Sequence, residues 1–456
     1  MSANRYAPEI CALLDHAPAE QRVAVDDALA GASDERLELL ARFVRYAAID
    51  TRACESGRRP SSAGQTVLQR LLVDELRGLG LGDARLAANQ LVEATLPARG
   101  PKREVAPVLV LVAHVDTAPE CSGGPVRVRL HPRYPGGDIV IDASRGVWIE
   151  AATRPHLAAY LGHDILTADG TTLLGADNKA GVAEIMQALA RLVADEALAH
   201  PTIRVLFTSD EELGIGAEAI DFGSLRADVA YTVDGDGFGC IDVECLCIDG
   251  FTIDVRGSTE CAPLWRRKAQ SALDAAAAII DGWSPRERPE STAGREGFIE
   301  FSSAIGDASR LVIDGSINDF AVEGLSQRAM ALRDHCRAVQ QRFAGIEIAI
   351  QRQLRCRNMH YVLKKHPIVV ARAVAAAERV GIGLTTRSGR YGIDAASFCF
   401  RGVPAANLFC GFHDYHSVTE HISLDVMQQS VDLLVALAGV WASPVPQRPR
   451  RAARNR

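Results

Sequence analysis

The chain has 456 residues, which is too many for one ordinary hydrophobic core, so two domains are expected. Hydrophobic residues make up 48% of the sequence and charged residues 23%, as is typical of a soluble globular protein. The net charge of -7 lacks the basic excess of nucleic-acid-binding proteins, so no nucleic-acid partner is expected.

No segment of the sequence predicts export or membrane insertion. The opening stretch MSANRYAPEICALLDHAPAEQ lacks a basic region followed by an apolar run. There is also no apolar stretch of about 18 residues, which a membrane span requires. The 11 cysteines form no paired CxxC framework, so we interpret them as free thiols of a reducing compartment. A cytoplasmic protein without a membrane partner is therefore expected.

The first half of the chain alternates between helical and strand patterns after an Ala-rich, helix-like extension at residues 1–35. The predicted helices cover residues 34–50, 62–80 and 178–193, and the predicted buried strands cover residues 105–115, 202–212 and 229–237. Strands that alternate with helices are typical of layered α/β domains. We therefore predict an α/β domain with a mostly parallel sheet.

A different order of elements begins near residue 249. The predicted elements are a strand at 249–257, a helix at 266–281, strands at 297–306 and 309–319, a helix at 323–343 and a strand at 346–354. The order βαββαβ is that of the ferredoxin-like unit. Because α/β character resumes afterwards, this unit is predicted to be an insertion. The predicted boundaries are 1–35 for an N-terminal extension, 36–248 and 359–442 for the α/β domain, 249–358 for the inserted α+β domain and 443–456 for a basic tail.

Polar residues occupy the ends of the predicted strands and one neighbouring turn. They are His114 and Asp116, Asp177, Glu211 and Glu212, and Asp234. Each has an ordinary explanation when taken singly. A strand-end Asp often caps a turn or a helix, His-x-Asp can be a satisfied core pair, and paired Glu residues often face solvent. Ligands of open parallel sheets, however, bind at the carboxyl ends of the strands, so these side chains are expected to converge.

Carboxylates that converge at one edge would repel one another unless a cation neutralised them. A mixture of carboxylate and imidazole groups without thiolates suits zinc, with cobalt or manganese as alternatives. The segment FHDYHSVTEH near the C-terminus supplies further imidazoles at His413, His416 and His421. The residues by themselves therefore predict a divalent metal site.

Five segments carry a resemblance to a known family: HVDTAPECSG, TADGTTLLGADNKAGVAEIM, FTSDEELGIGA, AYTVDGDG and YHSVTEHISLD. In this order they resemble peptidase T-like members of the co-catalytic di-zinc metallopeptidase family, which also includes aminoacylase and several carboxypeptidases. The resemblance extends from about residue 36 to about residue 440. It implies a zinc-exopeptidase-like α/β/α catalytic domain, with the inserted ferredoxin-like α+β domain as a lid and dimerisation domain.

The resemblance also implies a role for each strand-end residue. The implied zinc ligands are His114 and Asp234 for one ion, Glu212 and His416 for the other, and Asp177 for both. Asp116 would hold the imidazole of His114 in one tautomer. Glu211 would be the catalytic general base. His413 and His421 do not align with a ligand, and we interpret them as outer-shell or structural residues.

The implied reaction is hydrolysis of the amide bonds of short peptides, of the tripeptide aminopeptidase type. Two zinc ions would share a water and lower its pKa from about 15.7 toward roughly 7. Glu211 would take the proton as the hydroxide attacks, and would return it to the leaving amine.

The inserted domain departs from the family at positions that contact substrate. Cys261 stands where the family has a histidine that stabilises the oxyanion, often across a dimer interface. Asn318 replaces an arginine that holds the peptide's carboxylate, whereas Arg390 keeps the family's residue. Cys261, Asn318 and Arg390 are therefore the predicted substrate-binding residues. Arg266 or Arg267 could supply the missing positive charge.

Three functions are compatible with these observations. The first is a di-zinc aminopeptidase for short peptides, and the second applies the same mechanism to N-acyl amino acids or dipeptides. The third, of another class, is a catalytically weak metal- or ligand-binding protein. The presence of both the general base and all five implied ligands favours an enzyme. The expected partners are the small peptide or N-acyl amino acid substrate, and the inserted domain allows a homodimer.

Overall fold

The computed structural model is a mixed α/β structure, and it describes residues 6–19, 21–257, 270–343 and 345–443. The chain divides into two units. Unit 1 contains Met1–Asp242, Leu363–Thr386 and Arg401–Arg456, and unit 2 contains Val243–Val362 and Arg387–Phe400. The predicted insertion at 249–358 lies within unit 2. Unit 2 also takes in Arg387–Phe400, which the sequence had suggested would belong to the α/β domain.

The N-terminal part of unit 1 is helical, as predicted. Its helices are α1 (Pro8–His16), α2 (Arg22–Gly31), α3 (Asp34–Ala47) and α4 (Ala63–Gly78). α3 begins after Ser33, whose Oγ accepts a hydrogen bond from the N–H of Arg36, because a serine at this position satisfies one of the free N–H groups of the first turn. α1 buries Ile10 and Leu13, so the N-terminal extension contributes to the core of unit 1.

The chain then forms most of the strands of unit 1. They are β1 (Arg85–Leu86), β2 (Val92–Leu96), β3 (Val108–His114), β4 (Arg129–His131), β5 (Ile139–Asp142), β6 (Val147–Ile149), β7 (Ile165–Thr167), β8 (Thr202–Thr208), β9 (Val229–Gly235) and β10 (Cys240–Glu244). Two helices lie between them, α5 (Ala176–Ala194) and α6 (Phe222–Leu225). The last elements outside the predicted insertion are α10 (Ile368–Arg379), β15 (Thr385–Ser388), α11 (Asp394–Phe400), β16 (Ala405–Phe409), β17 (Phe412–His413), β18 (His421–Ser423) and α12 (Leu424–Trp441). Of these, α11 belongs to unit 2.

An eight-stranded sheet is the centre of the α/β layer, in the order β1-β2-β8-β3-β9-β16-β10-β15. The four middle strands β8, β3, β9 and β16 are parallel, whereas β1, β2 and β10 pair antiparallel. The prediction of a mostly parallel sheet is therefore confirmed for the four middle strands, but not for β1, β2 and β10. β3 is buried along almost its whole length, as expected for an apolar strand covered on both faces. α5 packs on β3 and also contacts α3 and α12.

A second, smaller sheet of unit 1 carries a loop that matters for the site. Its order is β17-β18-β7-β4, and all of its strand pairs are antiparallel. The hairpin of β17 and β18 encloses residues 414–420, which include His416. This sheet therefore fixes both ends of the His416 loop.

Unit 2 has the predicted βαββαβ order. Its elements are β11 (Cys247–Arg256), α7 (Ala272–Asp281), β12 (Phe298–Gly306), β13 (Arg310–Asp319), α8 (Val322–Arg342), β14 (Glu347–Cys356) and the short α9 (His360–Leu363). The sheet is antiparallel in the order β12-β13-β11-β14, and α7 and α8 pack against it around Ile253, Ile279 and Ile313. This is the ferredoxin-like arrangement.

Two further predictions concern the cysteines and membrane insertion. All the described cysteines are free thiols, as expected from their scattered positions. Within the described part of the chain, every helix is too short or too polar to cross a membrane.

Candidate metal centre

The five residues that the resemblance implies as metal ligands converge in unit 1. β3 ends at His114, β9 carries Asp234 as its last residue but one, and Glu212 follows β8. Asp177 lies at the start of α5, where its backbone is not yet helical, and His416 lies in the loop between β17 and β18. Parallel strands end at the same edge of a sheet, so segments far apart in the sequence deliver these side chains to one place.

The first group consists of His114, Asp177 and Asp234, with one ligand atom of each within 4.8 Å of the others. Nε2 of His114 lies 3.1 Å from Oδ1 of Asp177 and 3.5 Å from Oδ1 of Asp234. His114 is buried, so its ring has little access to water.

The second group consists of Asp177, Glu212 and His416, again with ligand atoms within 4.8 Å of one another. Nε2 of His416 lies 2.9 Å from Oε2 of Glu212 and 3.3 Å from Oδ2 of Asp177. Asp177 thus presents Oδ1 to one group and Oδ2 to the other. This carboxylate is the element that the two groups share.

The clustered carboxylates and imidazoles of the site shift one another's pKa values. Burial raises the pKa of Glu212 to about 8, and the neighbouring carboxylate of Asp177 contributes to this rise. Burial lowers the pKa of His416, but hydrogen bonds with Asp177 and Glu212 outweigh it and raise this pKa to about 11. Burial also disfavours the charged form of His114, yet Asp234, Asp116 and Asp177 raise its pKa well above the usual value. Protons therefore compensate the carboxylates where a divalent ion could do so.

The donor atoms fit a pair of divalent metal ions. Oε1 of Glu212 is buried and has no hydrogen-bond partner among the described residues, although such an atom is costly to leave unpaired. Two atoms that bind one tetrahedral zinc ion at about 2.0–2.2 Å lie roughly 3.3–3.6 Å apart. The nitrogen–oxygen separations of 3.1, 3.5, 2.9 and 3.3 Å are close to this spacing. Carboxylate and imidazole groups are also the donors that zinc accepts.

Asp116 contacts the first group and also organises the segment after β8. Nδ1 of His114 lies 3.1 Å from the backbone oxygen of Asp116 and 3.4 Å from its Oδ1, so the backbone oxygen is the nearer partner. The carboxylate of Asp116 accepts hydrogen bonds from the N–H groups of Glu211, at 3.2 Å, and Glu212, at 3.0 Å. Asp116 therefore connects the His114 ring to both glutamates, a connection that the sequence did not indicate.

The turn after β8 places Glu211 beside Glu212. The turn begins at Asp210, whose φ of +61° is a left-handed conformation that aspartate tolerates better than most residues. The carboxylate of Asp210 accepts hydrogen bonds from the N–H of Ser61 and from Nε2 of Gln65, which hold the turn in this conformation. Glu211 is partly buried. Its position next to a ligand candidate is compatible with the predicted role as a base.

Glu420 belongs to the site, although sequence reasoning did not single it out. Its buried carboxylate accepts hydrogen bonds from the N–H groups of Leu174, Gly175 and Asp177, at 2.7, 2.7 and 2.9 Å. Burial raises its pKa to about 7. A signal for it exists in the motif YHSVTEHISLD, where a carboxylate follows His416 at a short distance along the chain.

The other two histidines of the C-terminal motif have partners away from the metal groups. Nε2 of His413 lies 2.7 Å from the hydroxyl of Tyr160, and Nε2 of His421 lies 2.9 Å from Nε2 of His156. The rings of His156 and His413 are stacked, with centroids 3.7 Å apart. These contacts fit the interpretation of His413 and His421 as structural residues.

The predicted substrate-binding residues lie in unit 2 or outside the described residues. Cys261 lies outside them, as do Arg266 and Arg267. Asn318 is buried near the end of β13, where its Nδ2 donates a hydrogen bond to Oγ of Ser316 at 2.8 Å. A neutral amide bound to a serine thus stands at the position where the resemblance implies an arginine.

Arg390 is engaged within unit 2. Its Nη1 donates hydrogen bonds to the backbone oxygens of Gly294, at 3.1 Å, and Glu296, at 2.9 Å. Its Nη2 donates to Oγ1 of Thr292 at 2.8 Å, and the guanidinium lies over the ring of Phe298. The structure therefore gives Arg390 a role in holding the segment 292–296, which the sequence did not predict.

Comparison with known proteins places the chain in a family. A model of peptidase family M20/M25/M40 matches residues 168–439, which is more than half of the chain. The chain belongs to this family. Among curated M20 relatives, the peptidase T of Desulfitobacterium hafniense (strain DSM 10664 / DCB-2) is 35% identical over 405 residues, which cover 89% of this chain and 98% of the relative.

Solved structures of M20 proteins share the fold. A tripeptidase from Staphylococcus aureus superposes with a TM-score of 0.68 at 18% identity, over 89% of this chain and 98% of that one. The aminopeptidase PepT from Bacillus cereus gives 0.66 at 20% identity, over 90% and 99%. A dinuclear metal-binding M20 peptidase from Bacillus subtilis gives 0.57 at 12% identity, over 89% and 98%.

Membership of family M20 makes the chain a metallopeptidase, that is, a metal-dependent hydrolase of peptide bonds. The predicted resemblance, fold class and enzyme class are confirmed. The two groups of candidate ligands in unit 1 are consistent with a metal-dependent enzyme.

Proposed function

We propose that this metallopeptidase is a di-zinc aminopeptidase of the tripeptide aminopeptidase type. The observation that carries the proposal is the shared carboxylate of Asp177, which offers one oxygen to each of two groups of metal-binding side chains. The name of the curated relative, peptidase T, and that of the similar structure, a tripeptidase, support short peptides as substrates.

The proposed ligands are His114, Asp177 and Asp234 for one ion, and Asp177, Glu212 and His416 for the other. Zinc is the first choice of metal, because structural chemistry pairs it with imidazole and carboxylate donors. Cobalt and manganese accept the same donors and are the alternatives. The description of the Bacillus subtilis neighbour as dinuclear supports two ions rather than one.

When bound, the ions supply Lewis-acid chemistry, which lowers the pKa of a water and polarises the scissile carbonyl. Glu211 is the proposed general base, which takes a proton from the attacking water and returns it to the leaving amine. Asp116 holds the backbone of Glu211 and Glu212 together through two hydrogen bonds. The base and a ligand are thus fixed relative to each other before substrate binds.

Substrate selection is proposed to involve Cys261, Asn318 and Arg390. Asn318 is neutral and already bound to Ser316, and the two Nη atoms of Arg390 are engaged with protein oxygens. These two residues are therefore not expected to bind a free substrate carboxylate strongly. This observation keeps a second substrate class, N-acyl amino acids or dipeptides, as the alternative for the same metal centre.

A homodimer through unit 2 is a further part of the proposal. Within the described sheet of unit 2, β14 is an edge strand that pairs with β11 alone. Most of β14 is exposed, including Leu354. An exposed edge strand offers unpaired backbone groups to a second chain. Light scattering coupled to size-exclusion chromatography would measure the mass, and a monomer at micromolar concentration would contradict the dimer.

A cytoplasmic location stays a prediction.

The deciding experiment combines metal analysis with a substrate panel. Protein dialysed against zinc should retain about two ions per chain. It should then be assayed with tripeptides, dipeptides and N-acetyl amino acids. Release of the N-terminal residue from tripeptides, abolished by a chelator and restored by zinc, would support the proposal. Loaded protein that hydrolyses N-acetyl amino acids or dipeptides far better than tripeptides would replace it by the alternative.

A further inference from the structure

Glu420 contacts two chain segments. One supplies Asp177, the ligand candidate that both groups share, and the other supplies His416. We propose that Glu420 is a positioning residue, which sets the place of Asp177 relative to His416 and thereby controls the affinity of both metal positions. The inference rests on the metal centre of the proposed function. Glu420 itself belongs to neither group of candidate ligands.

The contacts of Glu420 engage both oxygens of its carboxylate. Oε2 accepts the N–H groups of Leu174 and Gly175, each at 2.7 Å, and Oε1 accepts the N–H of Asp177 at 2.9 Å. The side chain is almost fully buried. The N–H of Glu420 donates to the backbone oxygen of Ser417, which is next to His416, at 3.2 Å. One residue is therefore bonded to both segments.

The segment before α5 depends on this carboxylate for its hydrogen bonds. The first N–H groups of a helix have no partner within the helix. Here additional N–H groups require an acceptor from outside the helix, because Gly175 has a φ of +77° and Asp177 has non-helical backbone angles. Without Glu420, three backbone N–H groups would lose their acceptor, and a buried polar group left unpaired costs about 1–3 kcal/mol. The segment would then adopt another path.

A displaced backbone at Asp177 would move both of its oxygens. Oδ1 faces His114 and Oδ2 faces His416, at 3.1 and 3.3 Å. Both metal positions therefore depend on Glu420 through Asp177. Glu212 and Asp234, by contrast, each belong to one group only. Loss of the Glu420 contacts should weaken both positions together.

The test compares Glu420→Gln with a matched control, Glu184→Gln. The first substitution would keep the size of the side chain but present an NH₂ group to backbone N–H donors. Glu184 is equally buried on α5, and its carboxylate contacts Ser430 and Cys410 rather than the Asp177 segment. The dissociation constants of zinc and cobalt would be measured for the parent and both variants by competition with a chromophoric chelator. The visible spectrum of the cobalt-loaded proteins would be recorded in parallel.

The expected result is a weakening of both metal positions by roughly 10–100-fold in Glu420→Gln, which is the usual effect of losing a partner that orients a ligand. The cobalt spectrum should also change. Glu184→Gln should bind both metals with affinities within about twofold of the parent, even if its thermal stability falls. A general loss of stability would not produce this difference, because binding is measured well below the unfolding temperature.

A second variant covers the case in which Glu420→Gln does not fold. Glu420→Asp keeps the charge but is shorter by one methylene, so it cannot reach all three N–H groups, and it should also weaken both positions. Parent-like affinities and an unchanged cobalt spectrum in either folded variant would overturn the inference. A parent protein that binds neither metal would instead overturn the proposed metal centre, so the two failures can be distinguished.

Discussion

Nε2 of His114 lies 3.1 Å from Oδ1 of Asp177, although 63 positions separate the two residues in the chain. His114 is the last residue of β3, and Asp177 lies where the chain enters α5. Because Oδ2 of Asp177 faces His416 instead, this contact is one half of an arrangement in which a single carboxylate serves two groups. The consequences of removing Asp177 should differ from those of removing any other ligand.

Substitution of a ligand that belongs to one group should therefore remove one metal ion, whereas substitution of Asp177 should affect both. The parent should retain about two zinc ions per chain after dialysis, Asp234→Asn and Glu212→Gln about one each, and Asp177→Asn fewer than about one. Metal content per folded chain, measured by atomic absorption, tests this expectation. Retention of both ions by Asp177→Asn would show that its carboxylate does not bridge them.

Glu211→Gln should keep the fold and the metal content but lose most of the activity. The amide has the same shape as the carboxylate but cannot accept the proton, and loss of a general base typically costs about 10²–10⁴-fold in kcat. Glu218→Gln, in the same segment but exposed, is the control and should retain parent-like activity. A kcat for Glu211→Gln within a few-fold of the parent would remove Glu211 from the role of base.

Asp116→Asn should weaken the metal centre without unfolding the protein. Asparagine has one acceptor oxygen, so one of the N–H groups of Glu211 and Glu212 would face an NH₂ group instead. We expect a loss of about 10–100-fold in zinc affinity or in kcat/KM. Asp242→Asn is a suitable control, because Asp242 is equally buried and accepts a hydrogen bond from Asn407 on the neighbouring strand. Equal losses in both variants would indicate a general effect of buried aspartates.

The substrate's free carboxylate should matter less here than in an efficient tripeptidase. A hydrogen-bonded arginine–carboxylate contact contributes about 1.5–3 kcal/mol, equivalent to roughly 10–150-fold in kcat/KM. The kcat/KM for free tripeptides should therefore exceed that for their C-terminally amidated forms by less than about tenfold. Comparison of both forms and of N-acyl amino acids in one assay tests this expectation, and a strong preference for free tripeptides would contradict it.

Restoring the family's residues offers the reciprocal test of this expectation. Cys261→His together with Asn318→Arg should raise kcat/KM for free tripeptides if the absence of the family's histidine and arginine is what limits this activity. The amidated peptides should gain less, because they lack the carboxylate that an arginine binds with two parallel hydrogen bonds. An equal gain for both peptide forms would indicate an effect unrelated to carboxylate binding.

Acid should destabilise the metal-free protein partly through His421. Burial lowers the pKa of His421 to about 4, and Nδ1 of the neutral ring donates a hydrogen bond to the backbone oxygen of Thr419. In the unfolded chain the pKa is about 6.5, so below that pH the unfolded state binds a proton that the folded state does not. Stability is therefore full above about pH 6.5 and is lost as the pH falls toward about 4.

The measurement for His421 is the free energy of unfolding in urea at about pH 7.5 and about pH 5. The decrease in the free energy of unfolding between these two pH values should be smaller in His421→Asn than in the parent, by on the order of 2 kcal/mol. The reason is that asparagine keeps a donor for the backbone oxygen of Thr419 but does not titrate. Arg154 and Asp414 lie near this ring, so the experiment should be done at moderate salt. Identical losses in parent and variant would exclude His421 as the source.

The sequence by itself determined which residue types stand at the strand ends and where the helices and strands run. Apolar runs and helical periodicity are local properties, and they located β3, β8, β9 and α5 to within a few residues. Parallel strands must end at a common edge, so the convergence of His114, Glu212 and Asp234 could also be predicted. Asp177, in a turn beside these strands, was also expected to converge with them, but the choice of His416 rather than His413 or His421 as a ligand required the family resemblance.

Only the tertiary structure decided which atoms meet. The division of the two oxygens of Asp177 between His114 and His416 depends on how the start of α5 packs against the β17–β18 hairpin. The hydrogen bonds of Glu420 to the segment before α5, and those of Arg390 to residues 292–296, join segments that have no local relationship in sequence. The physical reason is that residue chemistry and periodicity are written along the chain, whereas a hydrogen bond between distant segments depends on where the packing of the whole unit brings them.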